Sequence, residues 1–272
     1  MIAATSQRAR QLGWSVLATA ALSLAALSAS AVTVSTPSLG LEVLVNGESS
    51  GVFDSQSLGC IPVAGTPTSN CESSGAVSVG GLSLDSWSFF VDTDPVINGG
   101  VTVTNLTGLT QQFTLLFTIP IAPPIPGGTV IGGSIQGGAT DNNGNGVTLS
   151  APTGAAFYTA RIDGLDVQAM YADPTSFSAG NFLSVSVPSL AFGTPIPSQS
   201  GPPALTTIGI RLDFLLTAGD SASFTSNFVV QPAVVPLPGA VFLFSGALGL
   251  LGLTRRSEAR RTEASRREVA KA

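Results

Sequence analysis

Between residues 32 and 231, apolar positions alternate with polar ones in short runs, and clusters of Gly, Pro, Asn and Ser separate the runs. That alternation is the period of strands, whose successive side chains point to opposite faces. No helical stripe bounded by caps occurs in this span. The sharpest unit is residues 155–172. A type I′ turn at Asp163-Gly164 would place Ile162 opposite Leu165, Ala160 opposite Val167 and Tyr158 opposite Ala169 on one side. The other side would then hold Arg161 opposite Asp166 and Thr159 opposite Gln168, so one register sorts apolar from polar.

A second ribbon is expected over residues 101–119, turning near Thr107-Gly108 and ended by Pro120. A third would pair residues 206–217 with 221–230 across Ala218-Gly219-Asp220, with Ile208, Ile210, Leu212, Phe214 and Leu216 on the core face. Further strands are expected at residues 32–36, 41–45, 76–79, 86–91, 129–135 and 181–187. Many short strands between turns point to an all-β chain folded as a single β-sandwich of Greek-key or jelly-roll type, spanning residues 32–231. The proline-dense residues 119–128 and 192–203 read as long loops or edge covers. The alternative is that residues 195–203 divide two more loosely joined sheets.

Both ends of the chain depart from this pattern. Residues 237–253 carry no charge, and as a helix they would reach about 25 Å, the short end of what spans a bilayer. Pro236 and Pro238 break the chain before this stretch, and Arg255 and Arg256 follow it. At the other end, Arg8 and Arg10 precede an apolar run, and Ala29-Ser30-Ala31 has the small-x-small form of a signal-peptidase site. Residues 1–31 are therefore expected to be a signal peptide, with the mature chain starting near Val32.

The C-terminal ending, Val235-Pro236-Leu237-Pro238 followed by an apolar stretch and Arg255-Arg256, resembles the PEP-CTERM sorting signal of exported Gram-negative proteins, in the variant with Leu237 in place of glutamate. The resemblance covers residues 232–272. It implies transient anchoring in the inner membrane, cleavage by an exosortase, and release to the cell surface or extracellular matrix, where exopolysaccharide is the neighbouring material. A permanent single-span anchor is the alternative for the same residues. The last residues, 257–272, with Glu258, Glu263 and Glu268 among arginines, suit a solvated cytoplasmic segment or a contact with lipid headgroups.

Charge changes the picture of the body. The whole chain has a formal net charge of -5, but the body holds thirteen acidic residues against only Arg161 and Arg211, which is -11. Such a surface repels nucleic acid and other polyanions, and leaves neutral glycans and divalent cations as partners. The tail after Thr254 is its opposite, with seven Arg or Lys against three Glu. Cys60 and Cys71 are the only cysteines, and in an exported body they are expected to form a disulfide around a short loop, worth about 2 to 3 kcal/mol.

The chain has no histidine, which removes Ser-His-Asp and Cys-His mechanisms and the histidine-containing zinc sites. Two carboxylates, as in glycosidases, would be the remaining catalytic equipment, with Asp163 and Asp166 or Asp92 and Asp94 as the pairs. Each has a structural explanation: a turn for Asp163, the cross-strand Arg161 for Asp166, and a strand end near Trp87, Phe89 and Phe90 for Asp92 and Asp94. Asp141-Asn142-Asn143-Gly144-Asn145-Gly146 matches the first half of an EF-hand calcium loop, with Asp141, Asn143 and Asn145 as the ligands. The second half fails, because Pro152 stands where the bidentate Glu belongs, and a hairpin tip explains the same residues. Asn105-Leu106-Thr107 fits the N-glycosylation triplet without meaning in a bacterium.

The chain is accordingly expected to be a non-catalytic exported protein with no cofactor. The alternatives are a carbohydrate-binding module, with glycan contacts from Trp87, Tyr158 or Tyr171, and a carboxylate-dependent glycosidase.

Overall fold

Every regular element that the computed structural model describes, over residues 37–233, is a β-strand. The strand expected at residues 32–36, the cleavage site at Ala29 and Ala31, and the C-terminal segment with Val235, Pro236, Leu237, Pro238, Arg255 and Arg256 lie outside the described residues. In chain order the strands begin β1 (Gly40–Val45), β2 (Glu48–Phe53), β3 (Cys60–Pro62), β4 (Thr68–Glu72), β5 (Val77–Val79), β6 (Leu82–Asp92), β7 (Val96–Asn105) and β8 (Gln111–Pro120). They continue with β9 (Thr129–Thr140), β10 (Val147–Ser150), β11 (Ala156–Ile162), β12 (Leu165–Ala172), β13 (Ser176–Ala179) and β14 (Ser184–Phe192). The last are β15 (Gln199–Gly201), β16 (Thr207–Leu216) and β17 (Ser221–Pro232).

These strands form two antiparallel sheets with one shared core, a β-sandwich. The first sheet runs β12-β11-β16-β8-β1-β2, with β10 on β16 and β13 on β10. The second runs β14-β9-β17-β7-β6-β4-β3, with β15 on β9 and β5 on β6. Ile208, Ile210, Leu212, Phe214 and Leu216 do line the core, each at most 1 % exposed. Across the sheets Phe89 meets Phe117 at 4.5 Å between ring centroids, and Phe214 meets Phe224 at 4.9 Å. Truncating a buried ring of this kind to alanine typically costs about 3 to 5 kcal/mol.

Two expected ribbons are corrected. β7 and β8 lie in different sheets, as do β16 and β17, so the turns near Thr107 and Gly219 carry the chain from one sheet to the other. Alternation cannot distinguish the two arrangements, since either one turns a single apolar face inward. Asn105, fully buried at the meeting point of both crossings, fits the crossed arrangement. Its N–H donates to the Asp220 carbonyl at 2.9 Å, its own carbonyl accepts from Gly219 at 3.0 Å, and its Nδ2 reaches the carbonyls of Leu109 and Leu216, each at 2.9 Å. The chain turns without stranding these buried backbone groups.

The β11–β12 hairpin forms around Asp163-Gly164, both at positive φ, with Ile162 opposite Leu165 and Arg161 opposite Asp166. Beyond that the expected register is wrong. A bulge between Ala160 and Arg161 sets Ala160 against Gln168, Thr159 against Ala169 and Tyr158 against Met170. One extra residue on a strand re-aims everything after it, and here it gives the core Met170 in exchange for Ala169, which stays exposed.

Cys60 and Cys71 face each other across β3 and β4 and are joined by a disulfide. The proline-rich residues 119–128 and 192–203 gather at one pole, where Ile125 bridges Ala204 and β15 extends the second sheet along β9. Residues 195–203 thus cover an edge and divide nothing. β17 ends at the same pole, where the Ala233 N–H donates to the Gly128 carbonyl at 2.9 Å. Asn105 and Asp141 occupy the opposite pole.

Candidate functional site

Asp141 stands at the end of β9, 3 % exposed, and its carboxylate is a hub for four backbone N–H groups. Oδ1 accepts from Asn143 at 3.1 Å and Gly144 at 2.8 Å; Oδ2 accepts from Gly146 at 2.9 Å and Phe182 at 2.7 Å. Burial pushes this carboxyl up, but the four donors outweigh it and hold the group well below the usual Asp range. Gly144 and Gly146 take the positive φ that the loop demands, and the Phe182 ring lies where a Gly144 side chain would project. Asn143 Nδ2 donates to the Ala218 carbonyl at 2.7 Å, while its Oδ1 accepts from the Asn145 N–H. The oxygens of Asp141 and Asn143 are thus spent on closing the loop, while Asn143 Nδ2 and Asn145 Nδ2, the latter at 3.5 Å, dock it to the Ala218 carbonyl at the β16–β17 crossing. Among the described residues, no group of three or more acidic or cysteine side chains stands ready for a metal ion.

Asp220, buried beside this hub, completes the pole. It accepts from the Thr217 hydroxyl and from the Asn142 N–H at 3.3 Å. Burial raises its carboxyl, these two donors partly restore it, and the neighbouring Asp141 charge raises it again.

Of the acids proposed for catalysis, Asp163, Asp166 and Asp92 are likewise engaged, whereas Asp94 is exposed and contributes only its N–H to Asp92. Asp163 accepts from the N–H groups of Leu205, Thr206 and Thr207 at 2.7 to 3.0 Å. Burial raises its carboxyl, but these donors and the Thr206 hydroxyl bring it down to about 2. Asp166 is clamped by Arg161 and Arg211, each at 2.9 Å, beside a shallow groove of about 510 Å³ on the first sheet. Asp92 accepts from the Asp94 N–H at 2.9 Å, and burial raises its carboxyl. Asn105 of the glycosylation triplet is buried with its amide in use, and so is closed to a glycan.

The aromatics named for a sugar platform are displaced from that role. Trp87 is 7 % exposed and donates Nε1–H to the Leu58 carbonyl; Tyr158 is fully buried with its hydroxyl on the Asn227 carbonyl; Tyr171 packs edge-on against Phe157 and Phe177. Alternation puts their neighbours outside instead. Phe90 is 39 % exposed on the outer face of the second sheet. Its row continues through Asn98, Asn227 and Ser134 on β7, β17 and β9. The next row is Ser88, Gly100, Thr225 and Gln136, and the third is Ser86, Thr102, Ser223 and Gly138.

On β6, β7, β17 and β9 these three rows carry no charged residue; on β4 the Phe90 row continues to Asn70 and the Ser88 row to Glu72. Sequence reasoning missed the face because its residues are scattered over four strands. The signal was present in the uncharged polar positions that alternate with core residues in 86–90, 98–104 and 223–227.

Fold and surface together define an antiparallel two-sheet sandwich with one disulfide, polar poles tied down at Asp141 and Asp163, and a polar face that carries no charge on β6, β7, β17 and β9. The chain matches no protein-family model and no curated protein.

Proposed function

We propose that the protein is a non-catalytic component of the cell surface or extracellular matrix of a Gram-negative bacterium, exported by its signal peptide and freed from the inner membrane by cleavage at residues 235–256. The observation that carries this reading is the ending itself: Val235-Pro236-Leu237-Pro238, an uncharged stretch, then Arg255 and Arg256. An exosortase and a signal peptidase are the processing partners it implies. The body supports the reading in its own way. A disulfide suits an oxidising compartment, and the last described residue, Ala233, lies two positions before Val235 at the proline-rich pole. That pole would face the membrane while the chain is anchored, and the two crossings between sheets support a jelly-roll-like order for the body.

Fractionation with antibodies against the body tests this. The body is expected in the surface and extracellular fractions of exosortase-competent cells, and to remain in the inner membrane when the exosortase is removed. A full-length species held in the inner membrane of competent cells would overturn the proposal.

A further inference from the structure

We propose that the outer face of the second sheet binds neutral polysaccharide, with the sugar chain lying across β6, β7, β17 and β9. Charge selects the ligand class. The body holds thirteen acids and two arginines, yet on β6, β7, β17 and β9 none falls in the three rows from Phe90, Ser88 and Ser86. A polyanion finds no cation there, and the single acid bordering the rows, Glu72 opposite Ser88 on β4, is too little for a basic peptide or a metal ion. A neutral, hydroxyl-rich ligand is the chemistry that hydroxyls and amides match.

Hydrogen bonding points the same way. Polar side chains at the poles are consumed internally, as at Asp141, Asn105 and Asp163. On this face Asn98, Thr102, Ser223, Thr225 and Gln136 make no side-chain hydrogen bond to any described residue, and all face outward beside one another. In the Phe90 row the Asn227 Oδ1 is buried with no partner among the described residues. A buried acceptor left unmade is unfavourable, and a hydroxyl donor laid over Asn98 and Asn227 would satisfy it after a small side-chain adjustment.

Geometry supplies the register. Neighbouring strands lie about 4.8 Å apart, close to the advance of an extended polysaccharide by one sugar, so each strand can offer one polar side chain to each residue of the glycan. Gly100 and Gly138 leave the rows low enough for a ribbon to lie flat, and Phe90, beside Asn70 of β4, offers an exposed ring against which sugar C–H groups can pack. This site does not depend on how the C-terminus is processed.

The test is affinity electrophoresis of the full chain, held in a zwitterionic detergent without a sugar headgroup, through gels containing dextran, galactomannan or hydroxyethylcellulose, with alginate as the anionic control. Retardation is expected in at least one neutral gel and not in alginate. Asn227→Ala with Thr225→Ala should weaken it by about tenfold or more. Thr225→Lys, which leaves the inner face untouched, should do the same with Tm unchanged. Absence of retardation in all three neutral gels, equal retardation in alginate, or full binding by the folded variants would overturn the proposal. So would concentration-dependent self-association through this face in place of glycan binding.

Discussion

Asp141 shows how one side chain can organise a pole of the molecule. Its carboxyl is held below the unfolded value, so the stability it contributes is present at neutral pH and is lost as pH falls from about 4 through the folded value. Asp163, held at about 2, behaves in the same sense. Replacing Asp141 by Asn should lower Tm at pH 7, and the gap from wild type should close as the pH is taken below about 4. Thermal melts across that range check this; a gap that ignores pH would contradict it. Asp220 has the opposite sign. Its carboxyl is raised, chiefly by burial, so its ionisation removes stability as pH rises through the folded value. Asp220→Asn keeps the hydrogen-bonding shape and removes a charge beside Asp141. It should raise stability at pH 7 by about 1 kcal/mol, or about 2–4 °C in Tm, with the gain vanishing in acid. Differential calorimetry of the variant at pH 7 and pH 3 measures both parts.

Elements were legible in proportion to how local their cause is. The β11–β12 hairpin was readable near its turn, because Asp163-Gly164 and the pairing of Arg161 with Asp166 are neighbours in sequence. Its bulge was not, because the gain from placing Met170 against Tyr158 appears only when the second sheet is there to bury them. β2 went unread although Asn46-Gly47, both at positive φ, carries the strongest short hairpin signal. The crossings at Thr107 and Gly219 were hidden for a deeper reason, since Asn105 satisfies carbonyls more than one hundred positions away. Asn105→Ala would strand these groups inside the protein. It should cost about 3 kcal/mol or more, read as a fall in the denaturant midpoint with little change in slope. The disulfide belongs to a different scale of effect. Cys60→Ser with Cys71→Ser should cost about 3 kcal/mol in the loop-entropy account. Hydrogen exchange should loosen around β3 and β4 while β16 and β17 remain protected. Of the candidate site, the Asp141 turn could be read from its Asn and Gly content, whereas its partner Asp220 and the face around Asn227 require the assembled sheets.

At the scale of the whole molecule, charge and topology divide the protein into parts with different work. The body carries -11, and most of its acids lie in turns or at strand ends or, like Asp85 and Asp213, accept from neighbouring side chains, while the three rows stay uncharged on β6, β7, β17 and β9. The described chain leaves the sandwich at the proline-rich pole, next to the residues that resemble a sorting signal. Under the proposed cleavage, release would free a stapled sandwich with its polar face open to whatever surrounds the cell. The intact mass of the protein recovered from the surface or extracellular fraction tests this most directly. The account predicts a chain that begins near Val32 and lacks the residues after about Pro236. A mass that retains residues 237–272 would contradict it and identify a permanent anchor.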